Sequence, residues 1–412
     1  MGRILIVNNT SILPQSGFAP VMNKRIVIFA ALVIVMGTLW LGAEYNWRRG
    51  ALFITGAGLG IALYHAAFGF TAAWRKFSAD FDGRGLRAQM LLLAITALIF
   101  FPAIAGGELF GHKVGGYILP AGTSVIVGAF IFGIGMQLGG GCGSGTLFAV
   151  GGGNTRTVVT LIGFIAGSVI ATAHTHWWYA LPTYGPISFI RIFGWQWALA
   201  INLGIFAAIV VLSVYLEKRR HGTLLIQTRS EKPPGRRILT GPWSLAAGAI
   251  ALAMLSIVTL WLAGRPWGIT SAFALWGAKI LMLFHIDVST WPYWSGWRAA
   301  SLRQSVFNDV TSVMNFGVIL GAMLAAALAG RFSPTFRIPP LSLAAALVGG
   351  LMLGYGARLA FGCNIGAYFG GVVSGSLHGW FWLLAGFAGS VVGTRLRPMV
   401  GLPVEKSSPQ TV

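Results

Sequence analysis

Gly139-Gly140-Gly141-Cys142-Gly143-Ser144-Gly145 holds one of the two cysteines of this 412-residue chain, and Ala360-Phe361-Gly362-Cys363-Asn364-Ile365-Gly366 holds the other. Placing the two stretches in register aligns Val127-Gly128 with Val348-Gly349, Gly133 with Gly354, Gly135 with Gly356, Leu138 with Leu359 and Phe148 with Phe369. After a single-residue slip, Ala166-Gly167-Ser168-Val169 aligns with Ala388-Gly389-Ser390-Val391, and upstream Gly69-Phe70-Thr71-Ala72-Ala73 resembles Gly268-Ile269-Thr270-Ser271-Ala272. The pattern predicts two related halves, each contributing one thiol at the same structural position.

The chain is 56% hydrophobic and 9% charged, with a mean hydropathy of +0.75. That composition excludes a water-soluble domain of this length and predicts an all-α polytopic membrane protein. Apolar runs suited to crossing a bilayer occupy 26–42, 51–69, 87–105, 122–139, 157–175, 195–216, 242–263, 267–287, 312–330, 341–361 and 379–395. They are too long for barrel strands, and lipid cannot satisfy open backbone groups, so a helical bundle is required. The net charge of +20 is spread among short loops. It fits positive-inside topology better than nucleic-acid binding, and no nucleic-acid partner is expected.

The domain reading is a disordered leader at 1–22, a first membrane half at 23–216, a basic cytoplasmic linker at 217–241, a second half at 242–402 and a tail at 403–412. The leader lacks the charged start and cleavage site of a secretory signal. The linker carries Lys218-Arg219-Arg220, Arg229, Lys232, Arg236 and Arg237. With Lys24-Arg25 also inside, six crossings precede it, which puts Arg75, Lys76, Arg84, Arg87 and Arg156 inside and Arg48, Arg49, Lys113 and Arg191 outside. Continued through the second half, the same count leaves Arg395 and Arg397 outside. A re-entrant segment there is the expected remedy, and the side of the C-terminus stays open.

Four glycines around Cys142 weaken any continuous helix at membrane depth. The expected result is a pair of half-helices meeting near Cys142, with a milder break near Cys363 and both breaks facing a central path. Half-helix N-termini present free N–H groups and a positive dipole end, so Ser144 to Leu147 and Ile365 to Tyr368 would favour an anion. A lone buried cysteine is usually an inert small hydrophobe. Two thiols confined to equivalent breaks argue against that reading, although a disulfide or persulfide chemistry stays open. The residues taken to line the path are Cys142, Cys363, Gly141, Gly143, Ser144, Gly362, Asn364, Arg358 and Gln137.

Arg358 precedes Cys363 on the helix leading into the break, where its counterpart in the first half is Gln137. Two readings stand for it, attraction of an anion and snorkelling to an interface. Asn364 either donates its amide to a ligand or caps the second half-helix. Lys279, beside Trp276, reads as an interfacial anchor more than as the mouth of the path. The nine carboxylates all lie away from the middle of the spans, so coupling through a buried acid is not expected. His174-Thr175-His176 precedes Trp177-Trp178 and lacks further metal ligands, so it reads as an aromatic belt, while Trp291-Pro292-Tyr293-Trp294 and Trp297 read as a belt or a surface loop. No phosphate loop, nucleophile motif or dinucleotide fingerprint occurs, and neither catalysis nor a metal or cofactor is expected.

From about Gly56 to Leu402 the chain resembles the YeeE/YedE family of bacterial inner-membrane proteins. The resemblance rests on Phe68-Gly69-Phe70-Thr71, the glycine-cysteine run around Cys142, Trp267-Gly268-Ile269-Thr270-Ser271-Ala272 and, most distinctively, Tyr355-Gly356-Ala357-Arg358-Leu359-Ala360-Phe361-Gly362-Cys363-Asn364-Ile365-Gly366-Ala367. It implies a pseudo-symmetric bundle pinched at its centre. In the thiosulfate branch, pore cysteines hand the anion along by S–H contacts, and Cys142 and Cys363 match two of them. That branch also carries a thiol in its first short motif, where this chain has Gly69-Phe70-Thr71; the departure puts the chain nearer the YedE-like branch. The family further implies a small TusA-like sulfur-carrier partner and, in that branch, selenium or other sulfur species as cargo.

The leading expectation is therefore an inner-membrane transporter for a small sulfur-containing anion or a selenium analogue. The alternatives are a membrane thiol oxidoreductase, in which Cys142 and Cys363 cycle through a disulfide, and a membrane anchor for a sulfur carrier.

Overall fold

The computed structural model describes residues 22–226 and 233–405. The leader up to residue 21, the linker centre with Arg229 and Lys232, and the tail beyond Glu405 lie outside the described residues. Helices dominate, with one short hairpin, Glu108–Leu109 with His112–Lys113, and one long-range antiparallel pairing, Pro120–Gly122 with Thr183–Pro186.

In the first half the helices are α1 (Lys24–Glu44), α2 (Trp47–Ala66), α3 (Phe70–Asp80), α4 (Arg84–Gly106), α5 (Thr123–Gly139), α6 (Gly143–Gly151), α7 (Thr155–Tyr179) and α8 (Phe189–His221). The short α9 (Pro234–Thr240) belongs to the linker. Then follow α10 (Leu245–Ala263), α11 (Thr270–Leu283), α12 (Trp297–Arg303), α13 (Val310–Leu328), α14 (Pro340–Leu359), α15 (Gly370–Val373) and α16 (Leu377–Leu396). Polar side chains mark many starts: Asn23, Asn46, Asn154, Ser188, Ser244 and Asp309 each accept a backbone N–H of the helix they open. Among the described residues, nine helices or helix pairs are long and apolar enough to cross a membrane. The protein is a multi-pass, all-α membrane protein.

Small residues let the central helices touch backbone to backbone. On α5 and α14, a Cβ at Gly128 would meet the Gly356 carbonyl at 2.7 Å, and one at Gly135 would meet the Gly349 carbonyl at 2.8 Å. Gly133 of α5 faces Ser390 on α16, and Gly354 of α14 faces Ser168 on α7. The sequence alignment maps one contact of each pair onto the other: Gly128–Gly356 onto Gly349–Gly135, and Gly133–Ser390 onto Gly354–Ser168.

The expected crossing at 267–287 does not form. The helix there, α11, has 14 residues, about 21 Å of rise against a hydrocarbon core of about 30 Å. Its first turn and the start of α13 meet through Ser271 and Thr311, whose hydroxyls are 3.1 Å apart. The chain thus returns to the side it left, and every later crossing runs opposite to the sequence-based count. The end of α16 accordingly lies on the linker side. Arg397 Nη1 donates to the Gln137 carbonyl at 2.6 Å, and Arg75 pairs with Glu405 at 2.9 Å. α3, which carries Arg75, ends at Asp80, the partner of Arg220 beside the linker. Arg395 and Arg397 therefore share a side with Arg75 and Arg156, which relieves the charge conflict that the count had created.

Candidate functional site

Near Cys142 the chain leaves α5 through Gly140, whose φ of 90° favours glycine, and restarts as α6 with Cys142 at its N-cap. The stranded carbonyls at the end of α5 are all claimed. Arg156 donates to Leu138 at 2.6 Å and Gly139 at 2.9 Å, the Thr160 hydroxyl donates to Gly139 at 2.9 Å, and Arg397 takes Gln137. Two guanidiniums at a helix C-terminus also complement its dipole.

The second break is built differently. α14 ends at Leu359, Phe361 adopts a φ of 60° and Gly362 one of 158°, and Cys363 caps a π-helical turn, Asn364–Phe369, that leads into α15. A bulky residue at positive φ needs external support. Phe361 stacks on Tyr179 with ring centroids 4.9 Å apart, while the Tyr179 hydroxyl donates to the Arg358 carbonyl at 2.8 Å. The Trp382 indole donates to the Gly362 carbonyl at 3.1 Å. These bonds satisfy the backbone that the break exposes at membrane depth.

The two breaks meet. A Cβ at Gly143 would lie 2.9 Å from Cys363 Sγ, and one at Gly145 would lie 3.5 Å from Cys142 Sγ. Both thiols are 0% exposed and unoxidised. Cys142 Sγ sits 3.5 Å from the Ser144 hydroxyl, and Cys363 Sγ faces the backbone N–H groups of Ile365 and Gly366. Beside them Asn364 is wholly buried, yet neither atom of its amide has a partner; the Thr146 and Tyr368 hydroxyls and the Trp267 indole N–H are also unpartnered. Burying so many polar groups without hydrogen bonds is costly. A polar ligand threading the breaks would satisfy them.

Of the residues expected on the path, Cys142, Gly143, Ser144, Cys363 and Asn364 gather at this junction. Gly141 and Gly362 shape it: a Cβ at either would press on the turn that follows, 2.9 Å from the N–H of Thr146 or Ala367 respectively. Asn364 caps no helix, since Cys363 takes that position. Gln137 is occupied elsewhere. Its amide donates to the Thr71 carbonyl at 3.0 Å and Ser390 at 2.7 Å, and accepts from Arg75 at 3.2 Å. Arg358 does not snorkel; at 6% exposure it donates to the Tyr293 hydroxyl at 2.9 Å and the Thr270 hydroxyl at 2.6 Å, leaving Nε unpartnered.

Sequence reasoning placed Thr146 and Tyr368 in the half-helix starts that favour an anion but gave no role to their side chains, nor to those of Trp267 and Tyr293. Tyr293 and Trp294 are no interfacial belt: both are buried against α7 and α11 through Val169, Ala274 and Leu275. The Trp267-Gly268-Ile269-Thr270 stretch was the available signal for that side of the site. Lys279 does not point to a mouth; its ammonium caps α12 by donating to the Leu302 and Gln304 carbonyls at 2.9 and 2.7 Å.

The geometry is that of a multi-pass helical membrane protein in which two broken helices, each with a buried cysteine at its restart, meet inside the bundle. The chain belongs to the family described as Sulphur transport, whose match covers residues 65–392. It is 33% identical over 165 residues to the probable transporter YedE of Salmonella typhimurium, a stretch that makes up 40% of each chain. It is 27% identical over 265 residues to the thiosulfate transporter TsuA of Spirochaeta thermophila, covering 62% of this chain and 72% of that one. With the thiosulfate transporter TsuA of Escherichia coli it shares 21% identity over 333 residues, 76% of this chain and 84% of the relative.

Proposed function

We propose that this protein carries a small sulfur-containing anion of the thiosulfate type across the bacterial inner membrane, along a path on which Cys142 and Cys363 are neighbouring stations. The observation that carries this reading is the meeting of two buried thiols, each at the start of a helical turn, beside an Asn364 amide with no protein partner. An anion that sheds its water needs donors spread around it. Helix starts supply N–H groups and a positive dipole end, and S–H groups supply weak donors to a large, polarizable sulfur. The same contacts would accept a selenium analogue.

The pairwise contacts support two pseudo-symmetric halves. Gln137 engages Thr71 and Arg358 engages Thr270, and each partner is the repeat equivalent of the other. The two contacts brace the two breaks in related ways, one through an amide and the other through a guanidinium.

Coupling to protons or sodium is not part of the proposal. Buried Glu217 lies at the linker end of α8, where it pairs with Arg87 at 2.6 Å. Uptake would run down the anion's own gradient, drawn by consumption inside, with a TusA-like carrier at the basic linker face as the natural acceptor. The test is uptake of labelled thiosulfate into proteoliposomes with no imposed ion gradient. Accumulation to equilibrium supports the reading; strict dependence on a proton or sodium gradient at zero potential overturns the uncoupled mechanism.

A further inference from the structure

The C-terminal segment reaches back over the linker-side end of α5. Glu405 grips Arg75 with both carboxylate oxygens, accepting from Nε at 3.1 Å and from Nη2 at 3.0 and 2.9 Å. The other arm of Arg75, Nη1, donates to Gln137 Oε1 at 3.2 Å, and Gln137 lies on the helix that ends at the Cys142 break. The Arg75 side chain is 8% exposed and that of Glu405 is 33% exposed. The cation therefore belongs to the protein interior and the carboxylate approaches it from solvent.

The surroundings carry a surplus of positive charge. Arg397 sits near this pair and Arg156 sits near Arg397, and both have spent donors on the carbonyls that end α5. Two guanidiniums, those of Arg75 and Arg397, thus lie near the Glu405 carboxylate. A planar fork meeting two oxygens is also the geometry by which arginine holds small oxyanions.

We propose that Arg75 is an oxyanion-binding site at the linker-side end of the path, and that Glu405 occupies it as a tethered stand-in for the transported anion. The site takes a small tetrahedral oxyanion such as sulfate or thiosulfate. The tail competes with cargo there, so displacement of Glu405 accompanies passage. This rests on the transport reading for its role, though the site itself does not.

The test uses full-length wild type, Glu405→Gln, Glu405→Asp and the double variant Arg75→Gln/Glu405→Gln. Two quantities are measured for each: equilibrium binding of labelled inorganic sulfate and thiosulfate to purified protein in detergent, and initial uptake by proteoliposomes. Glu405→Gln should tighten binding and speed uptake by about two- to fivefold, the range set by a partly exposed ion pair. Glu405→Asp should stay near wild type, the double variant should lose the gain, and removal of residues 403–412 should reproduce it. Unchanged binding in both Glu405→Gln and the truncated protein overturns the site, whether or not uptake occurs. Arg75-dependent binding in a protein that transports neither anion upholds the site and overturns the transport reading instead.

Discussion

Gly143 stands directly against the thiol of Cys363, where a Cβ would come within 2.9 Å of the sulfur. The contact joins the residue after one cysteine to the other cysteine, so the two breaks form one junction. Gly143→Ala should therefore push the breaks apart. We expect a folded protein whose uptake falls at least about tenfold, because displacing a reacting or binding group by about 1 Å costs far more than that. Initial uptake rates, with melting temperature as the control for folding, check this.

Asn364 offers a cleaner separation of function from stability. Both atoms of its amide are buried without partners, so replacing it removes a desolvation cost and breaks no hydrogen bond. Asn364→Ala should leave the melting temperature unchanged or raised while uptake drops. A variant that is destabilised yet transports normally would return the residue to a packing role.

Trp382 should behave in the opposite way. Its indole braces the Gly362 carbonyl at 3.1 Å, and Trp382→Phe leaves that carbonyl unsatisfied, at a cost of about 1–3 kcal/mol. Lower thermal stability in detergent, with binding of thiosulfate weakened in parallel, is the expected result.

How much of this was legible in the sequence depended on the kind of interaction. Composition was enough for the helical membrane class, and the glycines around Cys142 disclosed the break because the left-handed backbone at Gly140 favours glycine. The second break was harder to foresee in form. Phe361 at positive φ and the π-helical turn at Asn364–Phe369 are held by Tyr179 and Trp382, partners far away in the chain. Hydropathy also read 267–287 as a crossing, since an apolar helix buried in protein and one buried in lipid look alike in a window average. Gln137 was expected to face cargo because it is equivalent to Arg358, whereas its amide is consumed by Thr71, Ser390 and Arg75.

That reversal of topology has its own check. With Cys142 and Cys363 replaced by serine, single cysteines at Thr223 and Met399, both exposed, should react with an impermeant thiol reagent from the same side of the membrane. A cysteine at Glu108 should react from the other. Opposite labelling of Thr223 and Met399 would restore α11 as a crossing.

The decisive measurement compares alanine and serine at the two thiols. Uptake of labelled thiosulfate by Cys142→Ala, Cys142→Ser, Cys363→Ala and Cys363→Ser should show each alanine variant losing most activity and each serine variant retaining more, because serine keeps a hydrogen-bonding group but not the chemistry of sulfur. Equal loss in serine and alanine, with a Cys142–Cys363 disulfide forming on oxidation of the wild type, would contradict passage by contact and favour redox cycling. Full uptake by the double alanine variant would contradict any role for the thiols beyond filling space.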